Sequence, residues 1–189
     1  MTQQGKNAID LVLAESLIEL SAKKPIDKIT IKEITDKAGV IRPTFYNHFQ
    51  DKYELIEWII KSELLEPIKP LLNAGMIFEA IVLMLNNISA NSVFYKKALK
   101  LEGAVTFNQI DMKCVYEMFM NIINEKSTGK KSKYRWLTPE VISTYYAQSL
   151  CFITEGWIAQ GMDDIEPKEM AEAYMYLITR SMDDILSEL

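Results

Sequence analysis

Apolar residues recur at the three- and four-residue spacing of an α-helix along most of the chain. Near the start, Ile9, Leu13, Leu17 and Leu20 fall on one helical face, which ends before Pro25. No segment shows the alternation of apolar and polar residues, bounded by turn pairs, that is typical of a β-strand. The pattern therefore predicts an all-α protein. Its later helices are expected near residues 76–90, 92–102, 106–126, 138–160 and 167–187.

Two short amphipathic segments flank Gly39 in the first quarter of the chain. Thr30 and Glu33 have the spacing of a capping box at the start of the first segment, and Gly39 suits the left-handed residue that ends it. Pro43 suits the first turn of the second segment. Two short helices joined by a tight turn form a helix-turn-helix, whose second helix enters the major groove of DNA. Such a turn also occurs in ordinary helical bundles, so only the side chains can indicate whether this one binds DNA.

The polar side chains around the second short helix are of the types that contact DNA. Arg can donate two hydrogen bonds to guanine, Thr can contact a base edge or a thymine methyl, and Asn can pair with adenine. We predict base contacts from Arg42, Pro43, Thr44 and Asn47. Hydroxyl, imidazole and ammonium groups suit phosphate oxygens, which predicts phosphate contacts from Thr30, Tyr46, His48 and Lys52. The alternative is a structural role for Tyr46 and His48, and plain solvation for Lys52.

Composition and charge narrow the possible functions. The 189 residues are 49% hydrophobic, which is enough for a sizeable core, and the formal net charge is -5. Residues 1–52 carry a net charge of +1 and residues 53–189 one of -6, so a polyanion is expected to meet the first quarter of the chain. Cys114 and Cys151 are expected to be buried thiols. The absence of a leader-like start and of a long apolar run predicts a cytoplasmic protein with no membrane partner.

Sequence motifs for catalysis and cofactor binding are absent. There is no Gly-rich phosphate loop, no nucleophile elbow and no metal-ligand spacing around His48, the single histidine. We therefore expect no enzyme activity, no metal and no cofactor. A helical adaptor or coactivator that binds protein, without a small-molecule effector, is the alternative to a DNA-binding regulator.

The segment "ITIKEITDKAGVIRPTFYNHFQDKYELIEWII" resembles the N-terminal domain of the TetR/AcrR family of transcriptional regulators. The resemblance covers roughly residues 8–62. Its matching positions are Thr30, Ile34, Ala38, Gly39, Val40, Thr44, Tyr46, His48, Phe49, Lys52 and Leu55. One departure is Ile41, where the family usually has a Ser or Thr that caps the DNA-reading helix; the loss should cost about 1 kcal/mol.

The resemblance implies two domains and a homodimer on a near-palindromic DNA duplex. We expect a helix-turn-helix domain over residues 1–52 and a helical regulatory and dimerisation domain over residues 53–189. A helix over residues 51–66, which begins at Asp51 and which Pro67 should end or kink, would link them. The family further implies an unidentified small-molecule effector, and a repressor is the expected type of regulator. Later segments resemble the C-terminal domain of a subgroup that includes dihydroxyacetone-responsive regulators.

The second domain is rich in Met and aromatic residues, which either line a ligand pocket or form the core. The predicted pocket residues are Phe119, Tyr146, Cys151 and Trp157. Apolar stripes on the last two predicted helices suggest a four-helix dimer interface, although part of each stripe must serve the chain's own core. The predicted interface residues are Val141, Tyr145, Phe152, Gly156, Tyr174, Leu177, Ile178 and Ile185.

Overall fold

The computed structural model describes residues 3–102, 105–126 and 132–188. Every regular element in these residues is a helix, which confirms the all-α prediction. The N-terminal helices are α1 (Gln3–Ser21), α2 (Ile31–Ala38), α3 (Arg42–Tyr46) and α4 (Lys52–Ile59). A π-helical segment (Ile60–Leu65) joins α4 to α5 (Glu66–Asn73). The remaining helices are α6 (Ile77–Ala90), α7 (Ser92–Ala98), α8 (Phe107–Lys126), α9 (Pro139–Ala159), α10 (Pro167–Thr179) and α11 (Met182–Ser187).

The first three helices form the N-terminal part of the hydrophobic core. Leu13 and Leu17 of α1, Ile34 of α2 and Phe45 of α3 are completely buried. Helix α1 contacts α2 and α4, and α2 contacts α3. These contacts fix the short α3, whose five residues are too few for a helix that is stable by itself.

The connection between α4 and α5 is one continuous helical path, so Pro67 does not end the helix, which was one of the two outcomes expected from the sequence, an end or a kink. In a regular helix the amide of residue 67 would donate to the carbonyl of Glu63, but proline has no N–H. The side-chain amide of Asn87, on α6, donates to that carbonyl at 2.9 Å instead. The chain widens into π-helix just before Pro67, where the amide of Glu66 reaches back to the carbonyl of Lys61.

The C-terminal helices form the larger part of the core. Helix α8 packs against α9, α10 against α6, and α6 against α5. Phe94 and Tyr95 of α7 and Trp157 of α9 are among the largest fully buried side chains. Helix α4 and the π segment also contact α8. Since α4 contacts α1 as well, this linking path packs against both the N-terminal and the C-terminal helices.

Two helix boundaries differ from the sequence-based expectation. The single helix predicted over residues 167–187 is two helices, because Arg180 is extended and Ser181 caps a new helix. The Ser181 hydroxyl accepts from the amide of Asp184, whose carboxylate accepts from Ser181 in return. The helix expected over 92–102 ends at Ala98.

No single helix among the described residues is long and apolar enough to cross a membrane. One pair, α6 and α7, meets the length and composition criterion together, but the two helices are bent by 87°.

Candidate nucleic-acid interface

The turn between α2 and α3 has the geometry that the sequence predicts. Thr30 and Glu33 form a complete capping box at the start of α2. A hydrogen bond from Lys24, supported by bonds from Thr30, lowers the pKa of Glu33 to about 2. The Glu33 carboxylate of the box is therefore ionised at neutral pH. Gly39 closes α2 in the left-handed conformation, with φ of 68°, which favours glycine over residues that carry a Cβ.

The start of α3 lacks a side-chain cap, as Ile41 suggested. Ile41 has the extended backbone of an N-cap, with φ of -88° and ψ of 153°, but no hydroxyl or carboxylate satisfies the free amides of the first turn. Its side chain is 69% exposed. Pro43 lies in the first turn, where its missing N–H removes no helical bond.

The predicted base-contacting residues lie together on the outer side of α3. Arg42, Pro43 and Asn47 are exposed, and Thr44 is half-buried. The guanidinium of Arg42 donates to the Tyr46 hydroxyl at 3.3 Å and lies 6.0 Å from the centre of the Tyr46 ring. Tyr46 is itself 51% exposed. These side chains form one outward surface, which we call the α3 face.

His48 lies elsewhere, and the phosphate contact predicted for it does not fit the structure. Its side chain is only 2% exposed, and its Nδ1 lies 2.6 Å from Oδ1 of Asp10 in α1. The imidazole therefore joins α1 to the end of the helix-turn-helix and is covered by the protein. The sequence analysis did not identify Asp10, which is 6% exposed, as the partner of His48. The available signal was a carboxylate beside the apolar face of α1.

The ammonium group of Lys52 is also hydrogen-bonded within the protein. Its Nζ donates to the carbonyls of Ile26, Asp27 and Ile29 at 3.0, 2.7 and 3.2 Å. Burial lowers the pKa of Lys52 from its usual value. The side chain fixes the turn between α1 and α2 against α4, so neither solvation nor phosphate contact describes it. The hydroxyl of Thr30 stays exposed, although it donates to Glu33.

The four residues predicted to line a ligand pocket are not brought together around one cavity in the described part of the chain. The rings of Phe119 and Tyr146 are 5.8 Å apart, and Tyr146 borders an open groove. The indole N–H of Trp157 donates to the carbonyl of Ile165 at 2.9 Å, which makes Trp157 a core residue. Cys151 is buried beside Asp111.

The enclosed cavity of the C-terminal helices has a different lining, which the sequence did not indicate. It includes Tyr95, Asp111 and Thr154 among apolar residues from the π segment and helices α6 to α9. The available signal was Asp111 itself, a carboxylate that stands among the apolar residues of α8 at helical spacing, between Ile110 and Cys114.

The residues predicted for a dimer interface divide between surface and core. Tyr145, Phe152 and Leu177 are 63%, 77% and 48% exposed. Val141, Gly156, Ile178 and Ile185 are half-buried. Tyr174 is 3% exposed and belongs to the chain's own core. A Cβ built on Gly156 meets no atom within 4 Å, so the helix surface there is open to another chain. We call the exposed apolar surface of α9 and α10 the α9–α10 face.

Within the described parts of the chain, no three His, Cys, Asp or Glu side chains are grouped so that they could hold a metal ion.

The fold and the α3 face define the class of the protein, which is an all-helical transcriptional regulator with an N-terminal helix-turn-helix. Residues 15–59 match the family described as "Bacterial regulatory proteins, tetR family", and residues 76–180 match a "Transcriptional regulator C-terminal region" of TetR proteins. The chain belongs to the TetR family, and the proteins of this family are transcriptional regulators, not enzymes.

Individual relatives agree with this assignment. The chain is 26% identical over 152 residues, which are 79% of each sequence, to the HTH-type dhaKLM operon transcriptional activator DhaS of Lactococcus lactis. A solved structure of a dihydroxyacetone kinase operon activator DhaS shares the fold, with a TM-score of 0.60 at 20% identity over 95% of each chain. NalD of Pseudomonas aeruginosa, the secondary repressor of the MexAB-OprM efflux pump, superposes with a TM-score of 0.59 at 12% identity. That likeness covers 92% of this chain and 96% of NalD.

Proposed function

We propose that the protein is a homodimeric repressor that reads a near-palindromic operator with the α3 face and releases it in response to a small-molecule effector. The observation that carries this proposal is that exposed Arg42 and Asn47 and half-buried Thr44 lie together at a short helix that is held by the buried Phe45. Arg and Asn are suited to bidentate contacts with guanine and adenine. Tyr46 and Thr30 can contact the flanking phosphates, whereas His48 and Lys52 act as supports for the reading helix.

A dimer is favoured by the α9–α10 face. Tyr145 and Phe152, seven residues apart on α9, and Leu177 on α10 are large exposed apolar side chains, which a partner chain would cover. Two copies related by a twofold axis would bring two α3 helices to half-sites one helical turn apart, about 34–36 Å. Such a regulator acts on chromosomal DNA in the cytoplasm.

Ion pairs connect the linking helix to the C-terminal helices and support regulation through it. Lys61 lies 2.7 Å from Glu57 of α4 and 2.8 Å from Glu117 of α8. Lys113 of α8 lies 2.8 Å from the same Glu57. A movement of α8 would therefore be passed to α4, which packs against α1. An effector must bind two such arrangements with different affinity in order to change DNA binding.

The test begins with selection of bound fragments from genomic DNA, followed by gel-shift titration of the selected and of random duplexes. Arg42→Ala should weaken the selected site by about 1–3 kcal/mol and relax the preference at one base pair per half-site. Lys168→Ala, which removes one charge from an exposed position on α10, should leave both affinities unchanged. Equal losses on selected and random DNA for Arg42→Ala would remove Arg42 from the base-contacting set.

The oligomeric state is tested separately by sedimentation equilibrium. We expect a dimer for the native chain and a monomer of 21.7 kDa for Phe152→Glu. Val93→Glu places the same charge at another apolar position, 52% exposed on α7, and should remain dimeric. A native chain that is monomeric at micromolar concentration would contradict the dimer.

The same experiments also test two alternatives to a repressor, which are an activator and a protein-binding adaptor. The Lactococcus relative is named an activator, so a reporter placed under the selected operator must decide between repression and activation. The open groove beside Trp136, which is 74% exposed, favours a protein-binding adaptor as the second candidate function. An adaptor would select no DNA sequence.

A further inference from the structure

Ile41 is an exposed apolar residue beside the α3 face. Its side chain is 69% exposed, more than any other large apolar side chain among the described residues as far as the end of α4. The neighbouring Val40 packs against the hydrophobic core, whereas Ile41 is not among the described side chains that do so. Most of the apolar surface of Ile41 therefore meets water in the free protein.

The backbone of Ile41 is attached to the reading helix. Its carbonyl accepts a hydrogen bond from the amide of Thr44 at 2.9 Å, and its φ and ψ are those of an N-cap. The next residue, Arg42, begins α3 and belongs to the α3 face. Ile41 consequently has a fixed position relative to the side chains proposed to contact bases.

Isoleucine at this position does not stabilise α3. A serine or threonine hydroxyl would accept a hydrogen bond from a free amide of the first turn, and no side chain makes such a bond here. The exposed side chain of Ile41 supplies neither this bond nor packing against the core. Its apolar surface is thus available to a partner from outside the chain.

The location of Ile41 indicates which partner fits. Single exposed apolar residues are common on protein surfaces, so exposure alone identifies no contact. In a helix-turn-helix, however, the residues at the start of the second helix contact base edges in the major groove. The thymine methyl is the apolar group that the bases present there. Isoleucine has no donor for a phosphate or for a base acceptor, so its side chain matches this methyl.

We propose that Ile41 is a specificity-determining residue that contacts the methyl group of a thymine, at a base pair next to the one that Arg42 contacts. The inference rests on the proposed function, since it names a base of the operator that the α3 face binds. Each half-site then contains a guanine for Arg42 and a neighbouring thymine for Ile41. Thymine is preferred because the contact removes apolar surface of both groups from water.

Two other roles for Ile41 predict different results. A contact with the sugar–phosphate backbone carries no sequence information, so replacement of Ile41 would weaken all duplexes by the same factor. A role in the fold of α3 alone predicts that a serine, which caps the helix, preserves or improves DNA binding. Contact with thymine instead links the loss of affinity to one methyl group.

The experiment removes that methyl group from the DNA alone. The full native chain selects fragments from genomic DNA, and the selected duplex is synthesised again with deoxyuridine in place of one thymine at a time. Deoxyuridine keeps the hydrogen-bonding groups of thymine and lacks only the methyl. Gel-shift titration should find a thymine in each half-site whose replacement weakens binding about fourfold, the effect expected for one buried methyl group. This thymine should adjoin the base pair whose preference Arg42→Ala relaxes.

Variants of the protein test whether Ile41 contacts this methyl. Ile41→Ser should bind the thymine and deoxyuridine duplexes equally, so the losses caused by the two changes should not add. Ile41→Val keeps part of the apolar surface and should show an intermediate preference for thymine, which remains measurable if Ile41→Ser binds too weakly. Ile77→Ser, at a 49% exposed position at the start of α6, should discriminate as the native chain does.

The outcomes separate this inference from the proposed function. The same preference for thymine in the native chain and in both Ile41 variants, or no preference in the native chain, would contradict the contact. Selective DNA binding through Arg42 and Asn47 would stand in that case. A native chain that selects no DNA sequence would refute the regulator and the thymine contact together.

Discussion

At the scale of single residues, the position of the DNA-reading helix depends on a buried pair. His48 follows α3 and bonds to Asp10 in α1, and both side chains are almost fully covered. Removal of one member of a buried pair leaves the other with no partner, which costs more than the pair contributes when it is intact. The pair therefore acts on DNA binding through the fold, without touching the nucleic acid.

We predict that Asp10→Ala lowers the free energy of unfolding by about 3 kcal/mol. Glu19→Ala is the matched control on the same helix, because Glu19 is an exposed carboxylate paired with Lys37 and such surface pairs contribute little to stability. Chemical denaturation of both variants measures the difference. Equal small losses would show that the imidazole finds another partner when Asp10 is gone.

Ile41 is a second residue whose effect can be measured directly. Its backbone already has N-cap geometry and its side chain is exposed, so a short hydroxyl at this position can accept from the first turn of α3 without rearrangement. Ile41→Ser should therefore stabilise the chain by about 1 kcal/mol relative to Ile41→Ala. Denaturation midpoints of the two variants give the answer, and a serine variant no more stable than the alanine variant would contradict the capping argument.

At the scale of secondary structure, the path from α4 to α5 depends on a side chain from another helix. Pro67 provides no amide for the Glu63 carbonyl, and Asn87 supplies the missing donor. The Asn91 side chain also donates to the Glu63 carboxylate, at 3.1 Å. The linking helix is thus fastened to α6 and α7 at the point where it widens.

We predict that Asn87→Ala destabilises the chain by about 1 kcal/mol, because it removes a half-buried hydrogen bond to the backbone carbonyl of Glu63. Asn86→Ala is a close control, since Asn86 is exposed and its side-chain amide donates to the carbonyl of Val82 in its own helix. Pro67→Ala restores a backbone donor at residue 67, so the loss caused by Asn87→Ala should be smaller in that background. A double-mutant cycle measures this coupling. Strictly additive effects would contradict the replacement of one donor by the other.

This element also marks the limit of prediction from sequence. The capping box at Thr30 and the turn at Gly39 were predictable, since each is set by residues close in sequence. Continuation of the helix through Pro67 was not, because the stabilising amide of Asn87 comes from a distant part of the chain. The break at Arg180 was missed for another reason: an apolar stripe continues across it, and the Ser181 cap was not recognised.

At the scale of the whole molecule, the charge inside the C-terminal core makes stability depend on pH. Burial raises the pKa of Asp111 to about 7 from 3.8, so the folded state holds this proton more tightly than the unfolded state does. The contribution of Asp111 to stability is therefore complete below about pH 4 and is lost as the pH rises through about 7. Burial also raises the pKa values of Glu63 and Glu155, which act in the same direction.

We predict that Asp111→Asn reduces the loss of stability between about pH 5 and pH 8. The variant has no carboxyl to ionise inside the core, so its advantage over the native chain should appear mainly at the higher pH. Denaturation curves at the two pH values measure the effect, with Asp183→Asn at an exposed position as the control. An unchanged pH dependence in Asp111→Asn would mean that Asp111 gains access to water when it ionises.

The candidate sites show the same division between local and distant information. The residues of the α3 face were predictable because five consecutive helical positions determine which side chains point outward. His48 and Lys52 were assigned to the wrong surface, since their partners, Asp10 and the carbonyls near Ile26, lie on other segments. The residues predicted to line a pocket do not share one cavity for the same reason, because aromatic content does not reveal which helix faces meet.

The dependence of the Glu63 carbonyl on Asn87 has an evolutionary consequence. A chain with proline at position 67 needs an amide donor on α6, and a chain without that proline does not. The two positions should therefore be inherited as a pair: among related sequences, loss of the proline should permit apolar residues at position 87. Sequences that keep proline at 67 but carry an apolar residue at 87 should be rare, and those that exist should show a compensating donor or an interrupted linking helix.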